Sequence, residues 1–179
     1  MRYETIADIY SANQKIRERF VEAVGGISPD EATALPEGEK WDLRHLIEHV
    51  STVGSGISLI CAKLLAAAKI DNKPSNGSFS VSAHFGEKSA EIADIKVEAP
   101  ERVHPTGEVN IDEALLRLTA ATAAFDALRP DMESLDFSAH TIPHPFLGEL
   151  TAGEWFVIAG RHEHRHTAQI ERLLAKIRQ

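Results

Sequence analysis

Apolar residues recur at steps of three and four over four long stretches of this chain, the spacing of helices that bury one face. Residues 3 to 24 carry Ile6, Ile9, Tyr10, Asn13, Ile16, Phe20 and Val24 on that rhythm and stop at Gly25-Gly26. Ser28-Pro29-Asp30-Glu31 follows, an N-cap with proline at the first helical position and an acid three residues on. A short extra helix is therefore expected before Pro36-Glu37-Gly38. A second long helix opens at Trp41-Asp42 and reaches Ile70, with Asp42 as cap and Trp41 stapled to Leu46. One face of it carries Leu46, His49, Val53, Ile60 and Leu64. The third opens at Asn110 and carries Ile111, Leu115, Leu118, Thr122 and Phe125, the alternating steps of a bundle seam. The fourth opens with the capping box Thr151-Ala152-Gly153-Glu154 and runs almost to the last residue.

Strand alternation is weak, confined to Ser78-Phe79-Ser80-Val81-Ser82. Two connections are long: residues 71 to 109, where Glu87 to Ile95 looks helical, and residues 129 to 150, which contain Pro130, Pro143 and Pro145. Long connections in a compact domain often line binding surfaces. The pattern predicts an all-α fold, a four-helix bundle with long crossover loops, forming a single domain over residues 1–179.

Composition narrows the partners. With 27 acidic against 19 basic residues the net charge is −8, and no Lys/Arg stripe overrides it, so no nucleic-acid partner is expected. The single cysteine, Cys61, excludes an intramolecular disulfide framework and suits a reducing cytosol. The opening Met1-Arg2-Tyr3-Glu4-Thr5 is not signal-like, and no run of eighteen purely apolar residues exists, so the expectation is a cytoplasmic protein without a membrane span.

The candidate chemistry lies in the fourth helix, in Gly160-Arg161-His162-Glu163-His164-Arg165-His166. His162 and His166, four residues apart, leave one side of the helix one turn apart. Trp155, Ile158, Ala159, Gln169, Ile170 and Leu173 fall within about 60° of the line between them, so the pair sits in the core-facing stripe, whereas His164 points the other way. Two adjacent imidazoles there need partners, and one divalent ion supplies both.

Three sources compete for a third ligand. His162-Glu163-His164-Arg165-His166 spells the zinc-protease H-E-x-x-H, but the residues after His166 hold no histidine and Glu171 as their one acid. A ferritin-like di-iron site needs E-x-x-H on two of the long helices, and Glu163 with His166 is the one pair on such a helix, since Glu101-x-x-His104 falls in the long connection. The third source is the second helix, where His49 lies on the core stripe; His45, one turn earlier, is the reserve or a supporting group.

Trp41-Asp42-Leu43-Arg44-His45-Leu46-Ile47-Glu48-His49 resembles the opening of helix two in the DinB-like superfamily. His162 to Ile170 resembles that superfamily's final H-x-x-x-H-x-x-Q-I, and Leu147-Gly148-Glu149-Leu150-Thr151-Ala152-Gly153-Glu154-Trp155 its lead-in. In order and spacing the similarity spans essentially the whole chain. The resemblance implies a four-helix bundle with one divalent ion held by His49, His162 and His166. It also implies a role in metal-dependent transfer or isomerisation with a low-molecular-weight thiol, of the bacillithiol or mycothiol kind, acting on a small-molecule substrate.

Imidazole ligands suit zinc or nickel, and also iron or copper. Such a centre ionises a bound thiol near neutral pH, or activates a water for hydrolysis; a non-catalytic metal- or ligand-binding bundle is the other alternative. Glu163 is the candidate base, with a solvated helix edge as its competing role. Cys61 lies about 120° from His49 and reads as a small core residue. His84, His104 and His144 are placed to rim the mouth, or are ordinary loop histidines. Finally, Leu43, Ile57 and Cys61 form an apolar flank beside the inward stripe of helix two, from which a homodimer is expected unless residues 71 to 109 cover it.

Overall fold

The computed structural model describes residues 3–91 and 98–179. Among the described residues six α-helices follow in chain order: α1 (Ile6–Val24), α2 (Pro29–Thr33), α3 (Leu43–Asp71), α4 (Ala83–Glu91), α5 (Ile111–Ser134) and α6 (Ala152–Ile177). A 3-10 turn spans Glu101–Val103, and β1 (Ile142–His144) pairs antiparallel with β2 (Gly148–Leu150). The caps explain the starts. Asp42 accepts from the His45 amide, Asn110 from that of Glu113, and Ser28 and Thr151 form reciprocal boxes with Glu31 and Glu154. α1 has a box of its own, Thr5 with Asp8.

Contacts along the helices give their directions. Tyr10, Arg17 and Arg19 of α1 meet Phe156, Glu163 and Glu171 of α6, so these two run parallel. Along α3, His49 lies beside His162 and His166 while Cys61 donates to the carbonyl of Ala152, so α3 opposes α6. Gly54 lies beside Leu118 and Lys69 pairs with Asp131, so α5 runs with α3. The chain therefore goes up, down, down and up. Of the two long connections, the one from α3 to α5 is the true crossover, because parallel neighbours must be joined across the whole bundle. Its course carries α4 past α6, where Arg161 stacks on Phe85 at 5.0 Å, and then brings residues 103 to 107 back to α3.

Several sequence expectations change. Pro130 does not end α5, which continues to Ser134. An interior proline costs about 3 kcal/mol, but it is exposed here, while fully buried Met132 one half-turn on anchors the last turn. Residues 78–82 form no strand; the amides of Phe79 and Ser82 instead bind Glu4 and Glu154, fastening the loop across the end of the bundle. The helix expected at Glu87 to Ile95 begins earlier, at Ala83, and residues 92 to 95 lie outside the described ones. The small hairpin is unforeseen by the hydrophobic pattern. The flank of α3 proposed as a dimer face is already covered: Leu43 and Cys61 are fully buried and Ile57 is nearly so, packed within this chain.

α3 is long and apolar enough to cross a membrane by length and composition. Its place in the fold accounts for that character, since it packs against both α5 and α6. The core itself has two apolar clusters, one built on Ile9, Leu65, Phe125, Met132 and Phe156, the other on Phe20, Leu46, Leu118 and Ile170. Between them, each long helix contributes polar side chains at one level: Asn13 and Arg17, His49, Thr122, and His162, Glu163 and His166. At this level α1 and α6 come close. A Cβ on Gly160 would collide with the Asn13 amide.

Candidate metal centre

The polar layer contains the site. His49 reaches it from the second turn of α3, and His162 and His166 from the middle of α6, on the face that packs against α3. Each offers one ring nitrogen, and the three nitrogens lie within 4.8 Å of one another. Three imidazoles around one tetrahedral zinc have nitrogens roughly 3.3 Å apart, and His49 Nε2 and His162 Nε2 are already 3.1 Å apart.

Hydrogen bonds decide which nitrogens are available. The Val103 carbonyl lies 2.7 Å from His49 Nδ1, and since a carbonyl can only accept, Nδ1 carries the proton and Nε2 the lone pair. His166 Nδ1 lies 3.0 Å from Gln169 Oε1, and its Nε2 accepts from the Arg165 guanidinium at 3.3 Å. Both rings are thus turned with Nε2 as the donor atom, the outer support typical of metal-bound histidine. His162 Nε2 donates to His49 in this arrangement, so ligation requires its other tautomer.

Burial keeps all three rings neutral, the form a metal needs. It pulls His166 down to about 3 and His162 well below its usual value. His49 is lowered too, chiefly by burial, against an opposing hydrogen bond from Val103. The Arg165 charge adds to the depression of each.

Around the triad the loops close in. Glu48, next to His49, accepts from Thr106 through both amide and hydroxyl and from the amide of Gly107, at 2.7–2.9 Å. Burial pushes its carboxyl up, but those bonds outweigh it and hold the group below its ordinary value. The clamp fixes the segment whose Val103 carbonyl orients His49. Trp41 lies against His49, ring centroids 5.0 Å apart, and also contacts His104. On the other side His144 rests on Trp155 at 5.1 Å and is lowered to about 4, by burial and then by Arg102.

The structure therefore brings together His49, His162 and His166, and leaves His164 exposed on the far side of α6. His45 stays outside, its Nδ1 bound to Asp42 at 2.6 Å, in a supporting place at the helix cap. Among the loop histidines, His104 and His144 flank the triad, while His84 packs on Gly148 of the hairpin. Cys61 is fully buried, its thiol pushed up by burial, as a core residue.

Glu163 differs from both sequence expectations. It is not a solvated edge residue, because it is 6% exposed. Nor is it turned toward the triad: both carboxylate oxygens receive Arg17, at 2.6 and 2.7 Å, and Arg17 in turn reaches Leu118 and Thr122 of α5. Its partner lies on α1, whereas the triad faces α3, so we assign Glu163 no proton-transfer role. Sequence reasoning missed Arg165, Val103 and Gln169 as partners of the imidazoles. Gln169 alone carried a signal, standing one helical turn after His166.

Comparison with known proteins agrees with this architecture. The model of the DinB superfamily matches residues 12–170. The chain belongs to the DinB superfamily. That match runs from within α1 to within α6 and includes all three triad histidines, in a family whose members often bind metal. A DinB-like relative, an uncharacterized protein, YuaE, of Bacillus subtilis (strain 168), is 24% identical over 163 residues, covering 85% of this chain and 88% of its own length. No solved structure matches significantly.

Proposed function

We propose that His49, His162 and His166 hold one divalent ion, zinc or nickel, and that this DinB-like protein is a metal-dependent transferase using a low-molecular-weight thiol. The observation that carries the metal is the pairing of His49 and His166, each with its Nδ1 proton bound to an amide oxygen and so with its lone pair on Nε2, in a cluster whose three ligand nitrogens lie within 4.8 Å of one another. When bound, a dication among neutral imidazoles retains its full charge and ionises a thiol near neutral pH. The chain's own residues do the rest. Gln169 and Val103 hold the rings, Glu48 holds the strap carrying Val103, and Trp41 and Trp155 flank the site with apolar surface. Cys61 is too buried to be the thiol, which must come from outside.

Elemental analysis of untagged protein purified without added metal tests the ion. Stoichiometric metal that persists in a His162→Ala, His166→Ala double variant removes the assignment. A panel of cellular thiols and an electrophile, offered to the metal-loaded protein, tests the transfer, with a rate above background that His49→Ala abolishes as the expected result. Metal without turnover would instead support an ion-binding bundle, and hydrolysis without thiol a hydrolase. The same reading places the protein in the cytoplasm, where such thiols stay reduced. A homodimer remains part of the proposal on family grounds, and light scattering across a tenfold dilution tests it: a mass near 19.6 kDa throughout means a monomer.

A further inference from the structure

Arg165 stands between the two α6 histidines in sequence, and its Nη2 lies 3.3 Å from His166 Nε2. That imidazole nitrogen is its one hydrogen-bond partner among the described residues, and no carboxylate pairs with it there. Arg17, Arg19, Arg117, Arg129 and Arg178 each sit on an acid, and Arg161, one turn earlier on α6, is held by Ser89 and the Phe85 ring. A guanidinium is always charged and presents a planar fork of donors suited to an oxyanion, so one left without a carboxylate beside a ligand cluster has unused binding capacity.

The contact it does make is temporary by chemistry. The lone pair of His166 Nε2 is the one an ion would take, so loading the centre removes the acceptor Arg165 now uses and sets a second cation beside it. The nearest carboxylates on these helices are already committed, Glu48 to Thr106 and Gly107 and Glu163 to Arg17. The charged and titratable groups acting on the triad from outside it are Arg165, His104 and His144, with Arg102 acting on His144, and no carboxylate is among them. The permanent charges among them, Arg165 and Arg102, are both positive, in a chain whose net charge is −8.

We propose that Arg165 is the oxyanion-binding residue of the centre, and that the small molecule bound there carries a carboxylate or phosphate group beside its metal-binding end. The inference rests on the metal assignment above, but not on thiol transfer. An anion placed between the guanidinium and the ion neutralises both, and its fork contact orients the ligand relative to the open side of the triad. Arg102, exposed on the 3-10 turn, extends the same field outward toward His144.

The test uses full-length protein loaded with cobalt(II), whose visible bands report what enters the coordination shell. Acetate and inorganic phosphate are titrated separately into the parent and into Arg165→Met and Arg165→Lys, with cobalt content measured in each. The expected result is saturable binding of at least one anion by the parent and a loss of about tenfold or more in Arg165→Met at unchanged cobalt stoichiometry. Arg165→Lys should recover part of the loss, keeping the charge without the fork. Which anion responds distinguishes a carboxylate from a phosphate ligand. Equal affinity in parent and Arg165→Met, or no binding of either anion by a fully cobalt-loaded parent, overturns the proposal. Failure of the parent to take up cobalt overturns the metal assignment and this inference together, so the two failures are read from different measurements.

Discussion

Arg17 grips Glu163 at both carboxylate oxygens, tying α1 to α6 at the residue that follows His162. Because successive helical residues differ by about 100°, a carboxylate fixed toward α1 sets the rotation that presents His162 and His166 to α3. The ion pair is a rotational anchor for the candidate metal ligands.

Removing one side of it should therefore cost more than removing both. Arg17→Met leaves a nearly buried carboxylate without its partner, and a loss of about 3 kcal/mol is expected. Arg17→Met with Glu163→Leu should recover much of that stability. Urea denaturation of the metal-free proteins measures both, and a double variant no better than the single one would contradict the account.

Gly160 fixes the spacing of the same two helices. Gly160→Ala places a methyl against Asn13, and overpacking of this kind costs about 1–3 kcal/mol. Adding Asn13→Ala should relieve the collision, visible as a partial return of the thermal midpoint. Failure of the second change to help would mean that the close approach is not the source of the loss.

Gln169 should influence metal affinity without touching the metal. Its Oε1 accepts from His166 Nδ1 at 3.0 Å and so fixes the tautomer that exposes Nε2. Gln169→Leu is expected to weaken zinc binding about 10–100-fold, measured by chelator competition, with little change in the metal-free fold. An unchanged affinity would remove this supporting role.

The metal-free protein should lose stability as the pH falls below 6.5. His49, His162, His166 and His144 are all depressed from 6.5, His144 to about 4 and His166 to about 3, so the unfolded chain takes up protons first. Their contribution is fully present above pH 6.5 and is lost as the pH drops toward 4 and 3. Carboxylates with lowered values, such as Glu48 and Glu154, lose theirs only below their ordinary 4.5. Between pH 6.5 and 5 the slope should thus belong to histidine. It should flatten in a triple variant with glutamine at positions 49, 162 and 166, as read from urea midpoints.

Much of this was legible in the sequence because it depends on local rules. The caps at Asp42, Asn110 and Thr151 and the apolar stripes fix where three of the long helices begin and which face they bury. The in-register pair His162 and His166 follows from helical spacing alone, and His49 from its place among Leu46 and Val53 on the core face. What escaped depends on partners distant in sequence. Glu163 reads as an edge residue on a helical wheel, and only the approach of Arg17, 146 positions away, makes it buried and paired. Pro130 reads as a helix end, and only the burial of Met132 carries the helix past it. The α3 flank looked free because the wheel does not show Phe79 and Phe85 of the crossover, the second on α4, which join the same cluster as Ile57 and Cys61.

The fastening of the crossover has a consequence for where this chain can be lengthened. Within five residues, Val103 meets His49 while Thr106 and Gly107 meet Glu48, and Gly107 turns with a φ of 78° against His45. Those contacts set a fixed frame, so one residue inserted between Val103 and Gly107 would shift either the carbonyl that orients His49 or the clamp that holds it. An insertion at the exposed Asn76-Gly77 turn, between α3 and α4, leaves that frame intact and costs only the slowly growing entropy of a longer loop. The crossover thus has a length-sensitive half facing the centre and a length-tolerant half upstream, and a tag or reporter domain belongs in the latter.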